Sequence, residues 1–178
     1  MMKEKMVHPE RLGNTSFMAV DPESLRVAMR QWATGVTVVT TEFEGVRHGM
    51  TVNSFVSVSL EPPLVLVSLE KTTRTNQLVK NSGVFGITIL ASHQQAISDC
   101  FAGRQTEGSD RFSNVKTKTL LTGASFIEEG LAFFDCIVAA RYEAATHTLF
   151  IGEVVALEVA PEGEPLLYFK QHYRQLSR

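Results

Sequence analysis

The sequence predicts a mostly β domain, a closed barrel carrying a few short helices, and three observations lead there. Strand-length runs rich in β-branched and apolar residues recur along the chain: Val36–Thr41, Arg47–Leu60, Leu64–Leu69, Val84–Leu90, Leu131–Tyr142 and Thr148–Val159. Turn and breaker residues separate them, notably Glu44-Gly45, Glu61-Pro62-Pro63 and the stretch Ala145–His147. Helical signals are short and few. Long strands in a small domain must hide their edges, and closing the sheet on itself does so.

The elements follow in order. Asp21-Pro22-Glu23 reads as an N-cap, a first-turn proline and an acidic first turn, opening a helix to about Ala33 that Gly35 ends. Trp32, the one tryptophan, belongs to that helix and to the core on this reading. Val36–Thr41 and Arg47–Leu60 form a hairpin about Glu44-Gly45. Leu64–Leu69 is continuously apolar, which suits a strand buried on both faces. A short helix over Thr75–Asn81 closes at Gly83, the strand Val84–Leu90 follows, and Ser92 caps a helix to about Phe101. Ala102–Asn114 is a polar loop, and two long strands then meet at a tight turn near His147.

The chain of 178 residues fits one domain, residues 21–178, behind a flexible N-terminal arm at residues 1–20. A formal net charge of −2 supplies no field toward nucleic acid or an anionic membrane. The two cysteines, Cys100 and Cys136, are too few for a disulfide framework and read as buried thiols in a reducing cytoplasm. No apolar run approaches the ~20 residues a bilayer-spanning helix needs, and MMKEKMVHPERLGN has no apolar segment of the signal-peptide kind.

Two stretches carry candidate chemistry. In Arg47–Leu60 the even positions Met50, Val52, Val56, Val58 and Leu60 are apolar, while Thr51, Asn53, Ser57 and Ser59 are polar. Ser54 and Phe55 break the alternation, as at a bulge or a change of environment. Uncharged hydroxyls and an amide suit a neutral heterocycle; a solvent-facing sheet has the same pattern. Lys71-Thr72-Thr73-Arg74-Thr75 follows a strand and opens a helix. Its hydroxyls, cations and free N–H groups suit an anion such as phosphate, and Thr73 or Thr75 equally suits plain helix capping. Arg104 and Arg111, in the polar loop, are either further anion ligands or surface residues, and His147 sits at a strand end. The sequence has no G-x-G-x-x-G, Walker A loop, H-E-x-x-H, paired C-x-x-C or G-x-S-x-G.

Taken together, WATGVTVVTT (32–41), GMTVNSFVSVSLEPPLVLVSLEKTTRT (49–75), NQLVKNSGVFGITIL (76–90), SDRF (109–112), HTLFIGEV (147–154) and PLLYFKQHYRQL (165–176) resemble the flavin reductase family of the FMN-binding split-barrel fold. The resemblance implies a Greek-key-like split β-barrel and an NAD(P)H:flavin oxidoreductase, with FMN or FAD as acceptor and NADH or NADPH as hydride donor. It implies a homodimer, and a flavin-dependent monooxygenase component that receives the reduced flavin. By position it places Thr51, Val52, Asn53 and Ser54 along the flavin ring, and Ser68, Leu69, Lys71, Thr72, Thr73 and Thr75 along the ribityl chain and phosphate. Phe101, Ala102 and Arg104 approach the phosphate end, with Arg111 as a further candidate. His147 lies on the nicotinamide side and Tyr173 at the same mouth. Many relatives carry Gly-Asp before the histidine, and this chain carries Ala145-Thr146. Within the same fold, a flavoprotein holding its flavin tightly and reducing another acceptor such as a ferric chelate is the alternative; a non-enzymatic ligand-binding barrel is another.

Overall fold

The computed structural model describes residues 19–103 and 110–176. Most of the expected N-terminal arm, and Arg104, lie outside them.

The first helix, α1 (Pro22–Met29), opens where expected: the Asp21 carboxylate accepts from the N–H groups of Glu23 and Ser24, both at 3.0 Å. It stops earlier than the sequence suggests. The reason is tertiary: the Arg30 carbonyl accepts from Lys170 N–H at 3.1 Å, and the chain turns away to form β1 (Thr34–Gly35), so Gly35 lies in a strand. Trp32 falls beyond the helix and is 68% exposed, so it is no core residue.

Next come β2 (Thr37–Phe43) and β3 (Val46–Val52), paired about Glu44-Gly45 with φ of 50° and 76°, the left-handed geometry of a two-residue hairpin turn. The expected long strand Arg47–Leu60 is in fact two. After β3, residues 53–55 leave the ladder, and β4 (Val56–Leu60) pairs with β5 (Pro63–Glu70). The anomaly at Ser54-Phe55 marks that crossing: Phe55 packs on Phe134 at 5.3 Å while Ser54 Oγ donates to Ser68 O at 2.9 Å. On β5 burial alternates, with Val65, Val67 and Leu69 inward and Leu64, Leu66 and Ser68 half-buried, so only one face is fully covered.

Helix α2 (Arg74–Ser82) runs from its Thr73 cap to Gly83, whose φ of 71° takes the left-handed conformation glycine adopts without strain. After β6 (Val84–Ile89), α3 (Gln95–Phe101) begins at Gln94 rather than Ser92; Gln94 instead bridges Ala91 N–H and Glu128 C=O. Short strands β7 (Thr117–Thr119) and β8 (Ser125–Ile127) pair, and β9 (Ala132–Ala144) and β10 (His147–Val159) form the long hairpin. Finally β11 (Leu167–Phe169) and β12 (His172–Arg174) make a three-stranded sheet with β1.

The main sheet has seven strands in the order β3-β2-β6-β9-β10-β5-β4. Its two edge strands are consecutive in the chain. Laid flat, edges six spacings apart would stand about 29 Å from each other. The link 53–55 gives Val52 and Val56 a reach of at most about 14 Å. The sheet therefore curls until its edges meet, a barrel left unpaired between β3 and β4. Its core gathers Val39, Val67, Leu69, Phe85, Ile87 and Phe150. A second cluster, Val38, Leu90, Phe101, Phe112, Ile127 and Leu166, seats α3 and the C-terminal hairpin. Both cysteines are buried and free.

Candidate active site

Two cavities join where β3 leaves the barrel. One, of 190 Å³, is lined by Val36, Thr51, Val52, Asn53, Ser98, Ala102, Tyr168 and Tyr173. The other, of 360 Å³, is lined by His48, Met50, Thr51, Thr73, Arg74, Thr75, Phe101, Ala102 and Arg111. Thr51 and Ala102 belong to both, so the two form one trench.

The smaller cavity has uncharged polar groups and two aromatic walls. Thr51 Oγ1 donates to Ser98 O at 2.7 Å, which ties β3 to α3 and leaves the hydroxyl only lone pairs for a ligand. Tyr173 bonds to Ser98 Oγ and Asp99 Oδ1, both at 2.9 Å, and its ring meets Tyr168 at 5.5 Å. Asn53 is exposed at the rim. The set suits a flat heterocycle with mixed donors and acceptors.

The larger cavity is cationic. Arg111 crosses from the polar loop and donates to Gly49 O at 2.8 Å and Phe101 O at 3.0 Å, so its guanidinium is fixed at the wall. Arg74 heads α2. Gly49 gives Phe101 room: a Cβ there would lie 3.0 Å from the ring. His48 Nδ1 lies 2.8 Å from Thr75 Oγ1. Burial first, then the charges of Arg111 and Arg74, push its pKa down to about 4, so at neutral pH it is an uncharged imidazole. Neutral donors, two guanidinium groups and the first turn of a nine-residue helix suit a phosphate.

The trench thus gathers Thr51, Val52, Asn53, Thr73, Thr75, Phe101, Ala102, Arg111 and Tyr173 from the sequence expectations. Of the other expected residues that the structure describes, none lines it. Ser54 and Ser68 bond to each other across strands, and the Leu69 side chain is fully buried in the core. Lys71 pairs with Glu143 at 2.9 Å, and Thr72 is exposed. Thr73 meets its capping alternative: it accepts from Asn76 N–H and donates to Glu70 O. His147 sits at the β9–β10 turn, where Thr146 Oγ1 lies 2.9 Å from its Nδ1. Arg74 is the cation of the 71–75 cluster that lines the trench, whereas His48, Ser98 and Tyr168 are not among the ligands expected from the sequence. His48 has the parity of the apolar positions Met50 and Val52, so the alternation alone points it away from the polar set, and the one local signal was a titratable side chain on that parity.

Residues 29–177 match the flavin reductase like domain, and the chain belongs to that family. An NADH-dependent flavin reductase from a Rhodococcus species is 40% identical over 161 residues, 89% of this chain and 88% of the relative. The reductase subunit HsaB of a flavin-dependent monooxygenase from Rhodococcus jostii strain RHA1 is 33% identical, over 90% of this chain and 81% of its own. Among solved structures, the flavin reductase PheA2 superposes with a TM-score of 0.82 at 40% identity, covering 89% of this chain and all 100% of its own. The NADH:FAD oxidoreductase SgcE6 of Streptomyces globisporus C-1027, solved with NAD and FAD fragments, has a TM-score of 0.82 at 33% identity, over 90% of this chain and 98% of that one.

Proposed function

We propose that this chain is an NADH- or NADPH-dependent flavin reductase that passes hydride to FMN or FAD and supplies a partner monooxygenase with reduced flavin. The observation that carries the reading is the trench itself: an uncharged, aromatic-walled pocket opens at Thr51 and Ala102 into a cation-lined one. A flavin mononucleotide has that same order of ring and phosphate. The names of the relatives support the activity, and HsaB supports a monooxygenase as recipient.

Bound flavin supplies the hydride acceptor and the reduced nicotinamide the hydride. The chain's own part is placement. Thr51 and Asn53 present uncharged polar groups to the ring, and Tyr168 and Tyr173 wall its pocket. Arg74, Arg111, His48 and Thr75 hold the phosphate end, and the resemblance adds Arg104. His147, steadied by Thr146, marks the nicotinamide side. Holding donor and acceptor together would convert a bimolecular encounter into an oriented one, and no protein proton carrier is required.

The chain acts as a homodimer in this reading. A dimer needs an exposed apolar surface, and the aromatic-rich segment Leu131–Asp135 does not offer one, since Phe133 is buried in its own chain. Edge strand β4 does: Val56, Val58 and Leu60 are 54%, 47% and 90% exposed. Val58→Lys should shift the mass measured by light scattering from dimer to monomer; a wild-type monomer would refute the assignment.

The direct test is a steady-state matrix of NADH and NADPH against FMN, FAD and riboflavin. Nucleotide oxidation with bleaching of the flavin's visible band is expected. If neither nucleotide is oxidised with any of the three flavins, the reductase reading fails.

A further inference from the structure

His48 stands on β3 beside Gly49, whose carbonyl accepts from Arg111 Nη1 at 2.8 Å. Its Nδ1 lies 2.8 Å from Thr75 Oγ1, and both side chains line the same 360 Å³ cavity. With Nδ1 engaged in this way, Nε2 is the ring nitrogen left to a ligand.

Beside a bound anion this ring has two useful forms. In the neutral form with its hydrogen on Nε2, Thr75 donates to Nδ1 and Nε2–H donates to the anion. In the protonated form, Nδ1–H donates to Thr75, and Nε2–H again donates to the anion with a positive charge behind it. Thr75 is fully buried, and its hydroxyl serves both forms because it rotates from donor to acceptor. The ring therefore gains a proton without leaving a buried group unpaired.

Charge and burial oppose that proton while the cavity holds no anion. Arg74 of α2 and Arg111 face the ring and disfavour a third cation. The other charged or titratable neighbours do not offset them. Arg47, next on β3, is matched by Asp110 at 3.9 Å. On β2, Glu42 stands opposite Arg47 and is exposed, and Thr41, opposite His48, is bonded to Ser82 and Val84. On α3, burial pushes the Cys100 thiol up, so it carries no charge, and Asp99 bonds to Tyr173. A phosphate dianion would balance the two guanidinium charges and make room for a positive ring.

We propose that His48, with Thr75, selects phosphorylated flavins: Nε2–H donates to the flavin's phosphate, and the ring takes up a proton from solvent as that phosphate binds. The proposal rests on the reductase reading for its ligand and adds a proton-coupled preference for FMN over riboflavin.

The test is equilibrium binding of FMN and of riboflavin to flavin-free protein by ultrafiltration, at about pH 7.5 and about pH 5.5, with no nicotinamide present. If bound phosphate returns the ring from about 4 to its ordinary 6.5, FMN should tighten against riboflavin about tenfold over that interval. At the lower pH the bound ring then carries a proton that the unbound ring does not. The phosphate's own ionisation, at about 6, is common to wild type and variants and cancels between them. His48→Gln keeps an uncharged donor and takes up no proton, so its affinity ratio should lack the tightening. Thr75→Val would strand Nδ1–H in a buried place and should lack it too.

Equal pH dependence of the ratio in wild type and His48→Gln overturns the proposal, as does FMN bound no tighter than riboflavin at either pH. Tightening kept in Thr75→Val overturns the part given to Thr75; should that variant not fold, His48→Gln decides alone. Nucleotide oxidation in the flavin matrix is read separately. Proton-coupled FMN binding without oxidation would sink the reductase reading and leave His48 standing, whereas oxidation without the coupling sinks the role of His48 alone.

Discussion

Replacing His48 with glutamine should flatten the loss of stability that the wild-type chain suffers in acid. The ring is half-buried against Thr75, and burial with Arg111 and Arg74 brings its pKa from 6.5 to about 4. Above pH 6.5 the imidazole is neutral in both folded and unfolded chains and adds no pH dependence. As the pH falls toward 4, the unfolded chain takes up a proton that the folded chain refuses, so folding weakens. Below 4 both states are protonated and the loss is complete. At about 1.36 kcal/mol per tenfold change in proton concentration, a drop from 6.5 to about 4 has a ceiling near 3.4 kcal/mol. Solvent screening of a half-exposed ring brings the expected value to about 1.5 kcal/mol. Urea unfolding of wild type and His48→Gln at about pH 7.5 and about pH 4.5 measures it, since losses from the carboxylates common to both cancel in the difference. At the higher pH the variant should be weaker by about 1 kcal/mol, the worth of its hydrogen bond. At the lower pH that gap should close or reverse. Equal losses in the two proteins between the two pH values would refute the account of a neutral, ligand-facing His48.

Three further outcomes are expected. Gly152→Ala should destabilise the barrel by about 2–3 kcal/mol in the same assay, because its new Cβ would overlap the Phe85 ring and sit 2.9 Å from Cys136 Cβ. Thr73→Ala should cost about 1 kcal/mol through the lost cap of α2. The same variant should weaken FMN more than riboflavin in ultrafiltration binding, since only FMN carries the phosphate. Glu143, bound by Lys71 and Lys80, has its carboxyl held down to about 2, so its contribution is present above the ordinary 4.5 and fades as the pH falls through 2. Glu143 is exposed and its lysines are only half-buried, so Glu143→Gln should cost no more than about 0.5 kcal/mol, and thermal melts in high salt should erase the difference.

Local chemistry was legible in the sequence. Asp21-Pro22, Thr73 to Gly83 and Glu44-Gly45 act through their own backbone neighbours, and each marks an element end in the structure. The alternation in Arg47–Leu60 disclosed Thr51 and Asn53, and its fault at Ser54-Phe55 disclosed that something changes there. It could not disclose that β3 and β4 part to opposite edges of a seven-stranded sheet, because that is decided by pairing with β2 and β5. The exposure of Trp32 was hidden for a like reason: α1 stops where Lys170, far along the chain, claims the Arg30 carbonyl.

The same division runs through the site. The hydroxyl-rich segments at 51–54 and 71–75 follow from residue type and period alone, since hydroxyls, amides and cations offer the same donors wherever they stand. Which of them share a trench was a matter of three-dimensional closure. Folding turned Lys71 to Glu143 and Ser54 to Ser68, and it brought His48 to Thr75 and Arg111 to Gly49. The sequence by itself determined a β-rich chain with an uncharged polar strand and a cationic turn. Tertiary structure alone decided that barrel closure joins them at Thr51 and Ala102. The physical reason is that period and propensity act over a few residues, whereas a cavity exists only between elements distant in the chain.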